Sequence, residues 1–214
     1  IANVESQDST NVNGIKEAKS NRSIVTLSCL GVGYAGELLL LDKVFYGNDP
    51  KISFYYAHDS KSYLQVDKLQ HSFCSYLEGY VGYNLLKYSG MKKNLALFIG
   101  GSLGTIIQTP KEFIDGRHFG SGFSWNDILS NIAGSVFFIG QEILFDEQVL
   151  LLKFSYSRSY YARQANGYLG YNYFQGYFRD YNGHSYWLCL NANKLFCKDQ
   201  IPDWINIAAG YSAN

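Results

Sequence analysis

The chain has 214 residues, enough for one domain with a full core. Its 18 Lys and Arg residues balance 18 Asp and Glu, so it lacks the positive field that nucleic-acid binding needs, and no basic cluster stands out. Charged residues make up 17%, below the usual quarter, and aromatic residues also reach 17%, with 19 tyrosines. That balance suits a surface partly covered by lipid or by another protein, because Tyr and Trp tolerate surroundings that are half apolar and half wet.

Residues 1–22 are polar without apolar periodicity and are expected to form a flexible lead-in. The chain opens on Ile1 rather than Met, which fits a start after a removed targeting segment and a location outside the cytoplasm. Ser23 to Leu41 is apolar apart from Glu37 and approaches the length of a bilayer span. Its Gly31, Gly33 and Gly36 suggest close approach by another helix. A polar and aromatic connector follows through Asn48-Asp49-Pro50, a turn signal. His58, beside Asp59 in this polar connector, is expected to be solvated.

Val66 to Tyr88 reads as a helix, with Leu69, Phe73, Tyr76, Leu77, Tyr80 and Tyr83 recurring at three and four. Asp67 and His71 lie one turn apart on its flank and can touch. A further segment begins at Met91 and is uncharged from Asn94 to Pro110, where the proline is expected to start or kink a continuation carrying Glu112 and Asp115. Gly116 to Phe123 is a glycine-rich loop with Arg117 and His118. Ser124, three residues before Asp127, has the form of a helix start, and the helix should run to about Phe145 with Asn131 one turn after Asp127.

Beyond Asp146 the texture changes. The stretch from Val149 either extends the helix or forms a strand. Residues 160–187 are dense in Tyr, Gly and Asn and read as turns and short extended pieces, with a tight-turn signal at Asn182-Gly183. His118 and His184, beside Gly and Asn, are expected to be solvated. Pro202 should open a short final helix. The aromatic tail fits packing, a partner interface or a sugar-binding surface. Cys29 and Cys74 read as core thiols. Cys189 and Cys197 flank a short segment and could pair in an oxidising compartment, and no pair has a zinc spacing.

Several motifs occur in order: Asp67-Lys68-x-x-His71, Lys111-Glu112-x-x-Asp115-Gly116, Gly122-Phe123-Ser124-x-x-Asp127-x-x-x-Asn131-x-x-Gly134, Gln141, Tyr186-Trp187-Leu188 and Ile205-Asn206-x-Ala208-x-Gly210-Tyr211. Together they resemble a bacterial family of predicted periplasmic lipoproteins (YfiM-like) over roughly residues 60–214. The helical portion is also distantly similar to VanZ-type membrane proteins. Lipoproteins of the first family carry an acylated cysteine near the mature start, whereas Cys29 lies inside an apolar segment. The resemblance implies a bacterial cell-envelope protein, membrane-associated on the periplasmic side, with the outer membrane favoured.

The expected fold is mainly α: a bundle of about four apolar helices over residues 23–148, then an aromatic-rich, irregular region with short strands over 149–214. Two readings of the polar series stay open. Asp67, His71, Glu112 and Asp127 could act catalytically, with Lys68, Asp115, Arg117 and Asn131 binding substrate, or the carboxylates and imidazole could take a divalent cation. Alternatively, the same residues satisfy one another and fix helix register. No cofactor or dedicated metal-ligand set is assigned. The favoured function is a non-catalytic accessory or assembly component that contacts lipid and larger envelope or outer-membrane proteins. The alternative is a membrane-associated hydrolase or transferase acting on a lipid-linked or phosphate-bearing substrate. No nucleic-acid partner is expected.

Overall fold

The computed structural model describes residues 21–39, 46, 50–59, 62–195, 202 and 204–213. The polar lead-in therefore lies outside the described residues, except that Asn21 and Arg22 are already helical. The first helix (α1) covers residues 21–39 and touches the rest of the molecule along one stripe. Ser23 Oγ meets Ser89 Oγ at 3.0 Å, and Tyr34 OH donates to the Ile107 carbonyl at 2.9 Å. Contrary to the sequence expectation, Gly31, Gly33 and Gly36 face open space among the described residues.

The centre of the fold is α2 (Val66–Tyr88), entered through a 3-10 turn, Ser62–Gln65. α3 (Lys93–Gly101) and α4 (Leu103–Asp115) run back along it, and α5 (Trp125–Phe145) lies beside it in the same direction. Bounds of α2 and α5 agree with the periodicity. The interruption between α3 and α4 falls at Ser102 rather than at Pro110, which sits inside α4. The reason is packing. A Cβ on Gly100 would meet the Tyr83 backbone at 2.4 Å and one on Gly104 would meet the Ser75 carbonyl at 2.2 Å, so both segments approach α2 more closely than a side chain allows.

Tyr76, Tyr83, Leu86, Ala96, Leu97 and Phe138 form the apolar core at the C-terminal half of α2. Polar residues fill the other half of the interior. After α5 comes a three-stranded antiparallel sheet in the order β1 (Leu150–Tyr156), β2 (His184–Asn191), β3 (Asn206–Ser212). Tyr156 pairs with His184, and Trp187 with Gly210. Phe73 of α2 reaches Phe154 and Tyr186, with ring centroids 5.7 and 6.0 Å apart, and so docks the sheet on the bundle.

The C-terminal region corrects several expectations. Residues 160–187 contain two short helices, α6 (Tyr160–Gln164) and α7 (Tyr173–Arg179), where turns and extended pieces were expected. Ser159 and Asn172 cap them by accepting from Ala162 N and Gln175 N. The Asn182-Gly183 turn leads α7 into β2 and closes no hairpin. Beyond β2, the helical turn α8 covers Ala192–Leu195. The final helix expected after Pro202 is replaced by β3, because Ile207, Gly210 and Tyr211 pair across β2. Cys189 is a buried free thiol, whereas Cys197 lies outside the described residues. Cys29 is exposed on α1.

Candidate functional site

At the N-terminal end of α2, three helices and a connector bring their charges together. The first turn of α2 supplies Asp67 and Lys68, and its second supplies His71. α4 supplies Glu112 and Asp115 from its last turn, and α5 supplies Asp127 and Asn131 from its first two. Ser124 fixes the start of α5 as its sequence suggested, its Oγ accepting from Asp127 N at 3.1 Å. Two glycines let the helices close. Gly134 lies against the Ser72 carbonyl and Gly104 against Ser75.

Lys68 Nζ donates to Asp59, to Asp67 Oδ2 at 2.9 Å and to Asp127 Oδ1 at 2.5 Å. Tyr181, reaching in from the turn before β2, donates to Asp67 Oδ1 at 3.0 Å. Asn126 donates to Asp59 at 3.1 Å, and Tyr46 donates to Asp115. The His71 Nδ1–H donates to Asn131 Oδ1 at 3.0 Å, which turns the Nε2 lone pair toward the carboxylates. Nε2 then lies 3.7 Å from each of Asp67 Oδ1, Glu112 Oε1 and Asp127 Oδ1. That separation is too long for a hydrogen bond.

The electrostatics follow from burial. Removal from water lowers the His71 pKa to about 4 despite Asp67, so the ring is neutral at pH 7. Burial, reinforced by Asp127 and Asp115, raises Glu112 to about 9. Burial and the Asp67 charge raise Asp127 to about 7, opposed by Lys68. Burial also acts against ionisation of Asp67, but His71, the Lys68 ammonium and the Tyr181 hydroxyl hold its carboxyl below the usual range. Asp115 is raised by burial, with Lys111 and Tyr46 opposing. Carboxylates with divided protonation around a neutral imidazole can exchange protons or bind a cation. Ligand atoms of Asp67, His71 and Asp127 all lie within 4.8 Å of one another.

Seven of the eight residues singled out in the sequence thus share one neighbourhood. Arg117 does not join them. It is exposed after α4 and lines a separate pocket of about 380 Å³ with Lys51, Phe54, Phe113, Ile114 and His118. His118 is buried, not solvated: it stacks on Tyr46 at 4.2 Å and its Nδ1–H donates to the Ile114 carbonyl. His184 is likewise buried, its Nε2–H donating to the Tyr177 carbonyl at 3.0 Å. His58 is exposed as expected, but Asp59 is drawn into the cluster. Hydrogen bonds of Tyr55 and Ala57 to the loop at Gly116 and Phe123 position it there. Asp59 and Tyr181 were missed because no local spacing links them to Lys68 and Asp67. Gln141, one of the motif residues, is structural: its Oε1 accepts from the backbone of Val149 and Leu150 and starts β1.

A shallow groove of about 300 Å³, lined by Gln65, Lys68, Ser72, Asn126, Leu129, Ser130 and Ala133, opens beside the cluster. No curated protein and no solved structure matches the chain. Residues 55–139, which hold α2 to α4, most of α5 and all eight singled-out residues, match the model of a family described as "predicted periplasmic lipoprotein" (DUF2279).

Proposed function

We propose that the protein is a membrane-associated accessory component of a bacterial envelope assembly, on the periplasmic side and without catalytic activity of its own. The observation that carries this reading is the inverted polarity of α5. Its buried positions are Asp127, Asn131, Gly134, Ser135, Phe138, Gln141 and Glu142, whereas Trp125, Leu129, Ile132, Val136 and Ile143 point outward. A helix on the surface of a water-soluble domain carries the opposite pattern. α4 repeats the inversion, with Gln108 and Glu112 inside and Ile106 and Phe113 outside. Exposed apolar area on this scale marks contact with lipid or another protein. α5 is also long and apolar enough to cross a membrane by length and composition. The periplasmic side is supported by the family similarity over residues 55–139.

Purification from native membranes in mild detergent tests the proposal. The expected outcome is recovery in the membrane fraction together with larger envelope proteins at fixed stoichiometry. A monodisperse monomer in detergent-free buffer overturns it.

A second reading, a hydrolase or transferase acting on a lipid-linked or phosphate-bearing substrate, is favoured by one observation: the groove reaches Lys68 at the edge of the Asp67, His71, Glu112 and Asp127 cluster. His71 would then be the base. Lys68 is already held by three carboxylates, so a phosphate would have to displace one of them. In this reading His71→Ala abolishes turnover while the fold persists. In the accessory reading the same change lowers thermal stability and leaves partner recovery intact.

A further inference from the structure

We infer that Asp67, His71, Glu112 and Asp127 form a binding site for one borderline divalent cation, of the Zn²⁺ or Mn²⁺ class, between α2, α4 and α5. The argument begins with His71. With Nδ1–H given to Asn131 Oδ1, its Nε2 offers a lone pair in a direction fixed by a second residue, which is how a metal-ligating imidazole is normally held. Three carboxylate oxygens, one from each helix, surround that nitrogen at an equal 3.7 Å. Ligands bonded to one tetrahedral ion at about 2.0–2.2 Å stand roughly 3.3–3.6 Å apart. Asp67, His71 and Asp127 already offer ligand atoms within 4.8 Å of one another, so a cation would draw these three inward, and Glu112 Oε1, 3.7 Å from Nε2, would swing in to complete the set.

Glu112 provides the independent observation. It is only 1% exposed, its Oε1 points at His71 Nε2, and that oxygen has no hydrogen-bond partner. A buried carboxylate oxygen without a donor is costly unless something else satisfies it. The other ligands are already held from outside: Lys68 and Tyr181 grip Asp67, and Lys68 grips Asp127. Each carboxylate has lone pairs enough for both an outer donor and a metal. Charge points the same way. Asp67 is held ionised, and a dication entering beside it would stabilise the ionised form of Glu112, which burial and its acidic neighbours otherwise keep protonated, so uptake should release a proton. One imidazole among carboxylates favours Zn²⁺ or Mn²⁺ over Ca²⁺, which takes an all-oxygen shell.

The site does not depend on membrane association, so its test is separate. The full chain is purified in detergent, stripped with chelator and titrated with ZnCl₂ or MnCl₂ by calorimetry, with near-ultraviolet circular dichroism to check each fold. The expected result is one ion per chain. Affinity should fall at least tenfold in Glu112→Gln and in Asp67→Asn, both nearly isosteric, and be lost in His71→Ala. Glu78→Gln, a buried carboxylate outside the set, should bind as the parent does. Absence of stoichiometric uptake of either ion overturns the inference. So does uptake that is unchanged in folded Glu112→Gln, which would assign the ion to exposed groups such as His58. If His71→Ala fails to fold, the two isosteric variants decide.

Discussion

Glu78 shows how a single buried carboxyl sets a pH dependence outside the polar cluster. It sits on α2 opposite Gln108, whose Nε2 donates to Oε1 at 2.6 Å, while Oε2 is buried without a partner. Burial raises its pKa to about 8; the Gln108 bond opposes the shift and Glu37 adds to it. The side chain is therefore protonated in the folded protein at pH 7 and ionised in the unfolded chain. A folded-state pKa above the unfolded value means that the stabilisation is complete below about 4.5, falls as pH rises and is gone once pH passes about 8. Glu78→Gln keeps the acceptor for Gln108 and removes the ionisation. Its melting temperature should match the parent near pH 4.5 and exceed it by a margin that grows up to pH 8. A constant offset across that range would show that Glu78 does not titrate this way.

At the scale of elements, α2 is packed as closely as backbone allows, and this decides which substitutions the bundle tolerates. A Cβ on Gly134 would lie 2.1 Å from the Ser72 carbonyl and 3.0 Å from Ser75 Cβ, whereas one on Gly140, less than two turns later on α5, meets nothing within 4 Å. Gly134→Ala must push α5 off α2 and should cost about 1–3 kcal/mol. Gly140→Ala should instead raise stability by up to about 1 kcal/mol through helix propensity. Thermal unfolding in detergent separates the two. Equal effects would mean that the α2–α5 spacing is not set by Gly134. The same packing explains what the sequence made legible. The bounds of α2 and α5 are legible because apolar and aromatic residues recur at helical spacing and Ser124 marks a start, although on α2 that recurrence includes Leu77 and Tyr80, which are exposed. The break at Ser102 was not legible, because it comes from Gly100 and Gly104 meeting Tyr83 and Ser75, a contact between segments rather than a local signal. β3 was hidden for a related reason: its residues become a strand only beside β2. In the site, Asp67, His71, Glu112, Asp127 and Asn131 were found by spacing on their own helices. Asp59 and Tyr181 arrive from a connector and a turn that have no period to read.

On the scale of the whole molecule, the bundle keeps an apolar core at the C-terminal half of α2, but around the N-terminal half and on α5 polarity runs opposite to that of a water-soluble bundle. The interior holds Lys68, His71, Gln108, Glu112, Asp127, Asn131 and Gln141, all buried, while the outer face of α5 is a continuous apolar stripe. Such an interior cannot collapse by hydrophobic burial alone, so its polar groups must satisfy one another to hold the helices. The exterior in turn needs an apolar neighbour, lipid or protein. Leu129, Val136 and Ile143 are spaced by seven on the stripe, with 61%, 60% and 69% of their surface exposed. The triple change Leu129→Lys, Val136→Lys, Ile143→Lys replaces no residue of the core or of the polar cluster, although Leu129 lines the groove beside it. The folded chain should therefore keep its melting temperature in detergent within about 1 kcal/mol equivalent of stability, as surface changes do. Its retention on membranes, measured by flotation with vesicles of bacterial envelope lipid, should drop sharply, because each lysine brings a strongly hydrated charge to the contact face. Unchanged flotation would place the contact elsewhere, on the exposed apolar residues of α1 such as Ile24, Val25 and Val32. Loss of folding in detergent would instead show that the stripe is an interior surface of a larger assembly of this chain.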